Sequence, residues 1–112
     1  RRSYLMYLED IQASMKRILE YVEGLDFNSF KKDYKTVDAV IRNFEIIGEA
    51  SNNLPEFIKA KNVQIPWQEM YYMRNKISHE YFGVDYEIIW DVVKNFLPDN
   101  LSEIEKVLKD LS

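Results

Sequence analysis

The chain has 112 residues, 46% of them hydrophobic, so we expect a single domain, residues 1–112, with a sizeable core. Its net charge of −4 argues mildly against a typical basic nucleic-acid-binding protein but leaves room for a local basic cleft. The absence of cysteine excludes disulfides and thiolate metal sites. With no long apolar run and no signal-peptide pattern, the sequence predicts a cytoplasmic protein without membrane contact.

The first predicted helix extends from Tyr4 to Val22, where apolar residues recur at helical spacing before Gly24 stops the pattern. Residues 25–35 mix aromatic residues with Asp, Asn and Ser. This composition indicates a connector or a short helical turn.

A second helix is predicted from about Tyr34 to Asn52. Gly48 inside it costs about 1 kcal/mol relative to Ala, which indicates close approach by a neighbouring helix. Arg42, Glu45 and Glu49 share a flank of this helix at positions i, i+3 and i+7. Their pattern fits either a solvated row of ion pairs or part of a functional site.

The third long helix is predicted to begin after Pro66, beyond a short helix near residues 55–62, and to stop near Gly83. The apolar stripe of this helix would contain Trp67, Met70, Met73, Ile77 and Tyr81. The opposite side would carry Gln68, Tyr72, Asn75 and His79, with Tyr71, Arg74 and Ser78 on the flank between. The helix therefore has one buried side and one side rich in reactive groups.

A fourth helix is predicted after Asp85, its N-cap, and Pro98 should break or bend it. The expected buried stripe consists of Tyr86, Ile89, Val92, Val93 and Phe96, and a last amphipathic helix follows with Leu101, Ile104, Leu108 and Leu111. No alternating β pattern is found. The predicted fold is all-α, an up-and-down four-helix bundle with additional short helices.

Some apolar residues lie away from the predicted core stripes. These are Ile46 and Ala50 on the second helix, and Tyr71 and Tyr72 on the third. Such additional surface suits a two-fold interface between two copies, although scattered exposed apolar residues are also normal.

The only histidine is His79, so acid–base chemistry near neutral pH must begin there. Asn75 is one helical turn away and can reach the imidazole, while Arg74 suits a phosphate because its planar fork matches two oxygens. The sequence has no metal-ligand cluster and no Gly-rich phosphate loop. Metal-free RNA cleavage fits these groups, but a single exposed histidine is more often only a solvated residue.

Three pieces of the sequence resemble the HepT-type toxins of the HEPN superfamily. Arg74, His79 and Tyr81 match the Arg-x4-His-x-Tyr motif, residues 44–50 resemble the family's Ile-Gly-Glu-Ala helix, and Ile65-Pro66-Trp67 with Met73-Arg74-Asn75 resemble the entry to its motif helix. The resemblance covers most of the chain.

This resemblance implies a toxin that is a metal-independent endoribonuclease with a composite site in a homodimer. It implies that Arg74 and His79 are catalytic and that Asn75 and Glu49 support them. It also implies a minimal nucleotidyltransferase antitoxin that uses ATP to adenylylate Tyr81, while the chain itself needs no cofactor and no metal.

Two alternatives remain open at this point. The chain could be a non-catalytic helical subunit that docks a nucleotidyltransferase and helps bind a nucleotide, a reading that the acidic charge favours. It could also be a plain dimerisation bundle, in which substitution of Arg74 or His79 has no effect.

Overall fold

The computed structural model describes residues 3–79 and 85–111, with residues 74–79 described by their backbone alone. Within these ranges the chain is helical and contains no strand, which confirms the all-α class. The helices are α1 (Tyr4–Tyr21), α2 (Phe27–Lys32), α3 (Tyr34–Asn52), α4 (Glu56–Lys61), α5 (Trp67–His79), α6 (Tyr86–Asn95) and α7 (Leu97–Leu111). None of them has the length and apolar composition needed to cross a bilayer.

The connector between α1 and α3 is a short helix held between two aspartate caps. Gly24 adopts a positive φ of 78°, which turns the chain after α1. The Asp26 carboxylate then accepts a hydrogen bond from the Ser29 backbone N–H at 2.8 Å and so begins α2. Asp33 both ends α2 and begins α3, where it accepts from the Thr36 backbone N–H at 3.2 Å.

The core forms around α3, which packs against α1 on one side and against α5 on another. α7 packs against α1 and α6. Fully or almost fully buried apolar residues from these helices make one contiguous cluster, including Leu8, Ile11, Met15, Ile18, Val40, Ile47, Ile89, Val93 and Ile104. The core therefore places α5 directly against α3, as expected for a helix with one buried stripe.

The start of α6 confirms one expectation, and its end corrects another. Asp85 caps α6 through the backbone N–H of Glu87 at 2.8 Å, as predicted. α7 begins at Leu97 and not at Leu101, with Pro98 in its first turn, where the lost N–H matters least. Phe96 was expected to be buried, but its side chain is 55% exposed because it lies between the two helices and leaves the helical register of α6.

Two other predicted positions differ in burial. Ala50 was interpreted as additional apolar surface, but it is only 4% exposed and belongs to the core cluster of this chain. Leu111 was placed on the buried stripe of the last helix and is 40% exposed at its end. Tyr72 is exposed, as predicted, and Ile46 is half-buried.

Candidate functional site

The buried face of α5 is fixed by apolar packing and by two polar contacts. Trp67 and Met70 are buried, and Met73 packs against the core cluster. The Ser51 hydroxyl of α3 lies 3.4 Å from the Met70 sulfur, and the Trp67 indole N–H donates to the Asn62 carbonyl at 3.0 Å. These contacts confirm the predicted stripe over its described part and set the rotation of the helix about its axis.

The opposite face of α5 leads to the predicted catalytic positions. Gln68 and Tyr72 are exposed on this face. Because α5 continues to His79, positions 75 and 79 follow Gln68 and Tyr72 at seven-residue spacing, which keeps them on the same side of the helix. Position 74 follows Tyr71 after three residues, on the adjoining flank.

The reactive ends of the predicted site lie outside the described residues. This applies to the side chains of Arg74, Asn75 and His79, and to all of Tyr81. The backbone nonetheless places positions 74 and 79 on one helix, about 7.5 Å apart along its axis.

The predicted supporting residue Glu49 lies in a groove between α1 and α3. This α1–α3 groove has a volume of about 260 Å³, and Tyr7 and Asp10 of α1 face Arg42, Glu45 and Glu49 of α3 across it. α5 packs along a different flank of α3, marked by the contact of Ser51 with Met70. In the structure, the polar residues around Glu49 therefore lie opposite polar residues of α1. The sequence analysis did not predict this arrangement, although Tyr7 and Asp10 are three residues apart on one helix.

A larger groove lies at the start of α5. This α5 groove has a volume of about 660 Å³ and is formed by the end of α3, by α4, by the loop before α5 and by the first turns of α5. Its polar and aromatic lining includes Asn52, Lys59, Gln64, Gln68 and Tyr71. The sequence analysis did not predict this groove, because its walls come from segments up to about 20 residues apart.

A third cleft, of about 400 Å³, is lined almost entirely by apolar side chains of the core, among them Met15, Phe44, Met73 and Leu97. Among the described residues of its lining, Glu69 is the one ionisable residue. Among the described side chains, those of residues 3–73 and 85–111, no group of three or more acidic residues is arranged to hold a metal ion.

Comparison with known proteins identifies the family. The profile of the "Ribonuclease HepT-like" family matches residues 11–107. A relative from Methanocaldococcus jannaschii is 48% identical over 94% of this chain and 87% of its own length, and one from Caldanaerobacter subterraneus is 40% identical over 92% of both; each carries the name "Putative RNase". A protein from Thermococcus cleftensis named "Probable ribonuclease HepT" is 45% identical over 97% of this chain and 99% of its own length.

No solved structure matches this chain with statistical significance. The match to the family profile covers nearly the whole helical core from α1 to α7, and the relatives align over almost their full lengths. The chain therefore belongs to the HepT-like ribonuclease family of the HEPN superfamily.

Proposed function

We propose that this protein is a metal-independent endoribonuclease and the toxin of a toxin–antitoxin pair, active as a homodimer. The observation that supports this most is that positions 74 and 79 lie on one helix, α5, which is packed against the core through Trp67 and Met70. A rigid helix holds reacting groups more accurately than a loop does. Membership of a ribonuclease family supplies the reaction class.

The proposed reaction needs three chemical functions. A base removes the proton of a ribose 2′-hydroxyl, which attacks the adjacent phosphorus, while an acid protonates the departing 5′-oxygen. A cation stabilises the negative charge that builds up on the phosphoryl oxygens. His79 supplies the proton transfer and Arg74 the charge, and the products carry a 2′,3′-cyclic phosphate and a 5′-hydroxyl.

One chain provides only one imidazole, whereas the reaction uses both a base and an acid. A two-fold dimer that brings two copies of α5 together provides two imidazoles and two guanidinium groups in one cleft. Asn75, one turn before His79, supports the imidazole through its amide. Glu49 has an indirect supporting role through α3, against which α5 packs.

The first test uses variants of the two proposed catalytic residues. Arg74→Ala and His79→Ala should each reduce RNA cleavage by at least about 100-fold, because each removes a group that acts in the transition state. Cleavage is measured on labelled RNA, and circular dichroism checks that the variants remain folded. Arg17→Ala, which removes an exposed arginine of α1, is the matched control and should cleave like the wild type.

Full activity in folded Arg74→Ala and His79→Ala variants would contradict the proposal. The alternative function, a non-catalytic subunit that docks a nucleotidyltransferase, is favoured by the net charge of −4. It predicts that the pure protein leaves several classes of RNA intact while it still binds that partner.

The proposed antitoxin is a minimal nucleotidyltransferase that transfers AMP from ATP to the Tyr81 hydroxyl and releases pyrophosphate. The added phosphate would place negative charge near Arg74 and His79 and so repel the RNA backbone. Co-expression with such a partner should add mass in steps of one AMP, as measured by intact mass spectrometry. The Tyr81→Phe variant should show no such gain, and an unmodified wild-type chain would contradict this part of the proposal.

A further inference from the structure

We infer that the α5 groove binds an unpaired nucleobase of the RNA, next to the phosphodiester bond that is cleaved. This inference rests on the proposed function, because it places the groove beside a site of RNA cleavage. The groove has a volume of about 660 Å³ and lies on the same helix as the two proposed catalytic residues.

The position of the groove on α5 is the first argument. Tyr71 lines it, and position 74 continues the same flank of the helix at i+3 from Tyr71. A rise of about 1.5 Å per residue separates Tyr71 from position 74 by about 4.5 Å along the axis. Successive nucleotides of a strand are about 3.4 Å apart or more, so the groove is within one or two nucleotides of a phosphate held by Arg74.

The aromatic lining is the second argument. The Tyr71 ring is half-buried and lies 6.4 Å from the Tyr72 ring, at an angle of 41°. Trp67 is buried, and the hydrogen bond of its N–H to the Asn62 carbonyl helps to fix the helix that carries Tyr71. An aromatic ring held at the edge of a groove is the usual platform on which an unpaired base stacks.

The polar lining is the third argument, and it favours a base over a phosphate. Asn52 and Gln68 are exposed amides that line the groove, and amide groups pair with the hydrogen-bonding edges of bases. The ammonium group of Lys59 forms an ion pair with Glu56 at 3.2 Å, and Glu69 adds a second carboxylate. These two carboxylates outweigh the one ammonium group, so the groove would repel a phosphate but accept an uncharged base.

Kinetics of variants test the inference. Tyr71→Ala should raise KM about tenfold with little change in kcat, because stacking contributes equally in the ground state and the transition state. Tyr71→Phe keeps the ring and should stay near the wild type, and Gln68→Ala should weaken the preference among RNAs that differ only beside the cleaved bond. Tyr34→Ala, which removes a 72% exposed tyrosine at the far end of α3, is the control. Unchanged KM and base preference in both groove variants would overturn the inference.

Tryptophan fluorescence gives a second test that does not depend on cleavage. The chain has two tryptophans, so Trp90→Phe leaves Trp67 as the only reporter, within the groove. Titration with adenosine, cytidine, guanosine and uridine, which carry no phosphate, should quench this fluorescence for at least one base, and Tyr71→Ala should weaken the effect about tenfold. Absence of quenching by all four nucleosides would count against the groove.

The two tests separate failure of the inference from failure of the proposed function. If the wild type cleaves RNA but the groove variants behave like the wild type and no nucleoside quenches Trp67, only the inference fails. If the wild type cleaves no RNA, the proposed function fails, and the quenching experiment alone then decides whether the groove binds a nucleobase.

Discussion

At the residue scale, two buried polar side chains stand out because the packing of α1 and α3 surrounds them. Ser14 is completely buried, and its hydroxyl has no hydrogen-bond partner in the described part of the chain. Asn43 donates from its side-chain nitrogen to the Ala39 carbonyl at 2.8 Å, but its side-chain oxygen has no partner within the same ranges. An unpaired buried polar atom lowers the free energy of unfolding.

Ser14→Ala should therefore increase the free energy of unfolding by about 1 kcal/mol, because it removes a buried hydroxyl that is desolvated without a partner. Urea denaturation at neutral pH measures the change. The matched control is Ser51→Ala, since the Ser51 hydroxyl is equally buried but donates to the Ile47 carbonyl at 2.8 Å. The control should lose about 1 kcal/mol. Equal losses in both variants would show that Ser14 is hydrogen-bonded after all.

Sequence patterns predicted the apolar core at this scale but not these polar positions. Helical spacing places Ile11, Ile18 and Ile104 inside correctly, because burial of an aliphatic side chain needs no specific partner. Whether a serine or an asparagine is buried depends on which helix covers it, and that is a property of the assembled bundle. Ser14 and Asn43 were for this reason not recognised from the sequence.

At the element scale, Asp33 is the junction of α2 and α3. The hydrogen bond from the Thr36 hydroxyl, at 2.7 Å, and a second one from the Thr36 backbone hold the pKa of the Asp33 carboxyl below its ordinary value. A carboxyl whose pKa is lower in the folded state stabilises the fold above its unfolded-state pKa. That stabilisation is lost as the pH falls through the folded-state pKa.

Asp33→Asn should therefore make stability less sensitive to acid. The wild type should lose more stability than the variant when the pH falls from 7 to below about 3.9, the ordinary pKa of aspartate. Thermal unfolding followed by circular dichroism at several pH values measures the difference. Thr36→Val removes only the hydroxyl donor and should give an intermediate pH dependence. Identical acid sensitivity of the wild type and Asp33→Asn would contradict this account of the junction.

The helices were largely predictable from the sequence, and their ends were not. Capping signals correctly predicted Gly24 as the stop of α1 and Asp85 as the start of α6. Phe96 was misplaced because a periodic pattern cannot show where one helix ends and the next begins. In the structure its N–H closes α6 while its carbonyl accepts the first hydrogen bond of α7, from the Asn100 N–H at 3.0 Å.

The candidate site was predictable only in part, for a related reason. The buried stripe of α5 follows from periodicity, and its described members Trp67, Met70 and Met73 confirm it. Membership of the family was also predicted correctly. The α5 groove and the α1–α3 groove depend on contacts between segments far apart in sequence, which local patterns do not encode.

At the scale of the whole molecule, the proposed reaction depends on two copies of the chain. Light scattering should give twice the chain mass of 13.5 kDa at micromolar concentration. Mixing tests whether the two copies share one site. If two imidazoles are needed, an equal mixture of wild type and His79→Ala, allowed to exchange subunits, should keep about a quarter of the wild-type activity, the fraction of wild-type homodimers under random pairing. A residual activity of one half would show that each subunit acts alone.

The net charge of −4 also affects how the protein binds RNA. An acidic surface gives no general attraction to a polyanion, so binding must depend on a few local contacts and should respond weakly to salt. This agrees with the proposed site, in which Arg74 holds one phosphate and the α5 groove holds an uncharged base.

The most direct test of the central claim is to incubate the purified protein with RNA in excess EDTA and to determine the ends of the products. The account predicts cleavage that leaves 2′,3′-cyclic phosphate and 5′-hydroxyl ends, and no cleavage by His79→Ala. RNA that stays intact in EDTA but is cut when Mg²⁺ is restored, or cutting by the His79→Ala variant at the wild-type rate, would contradict it.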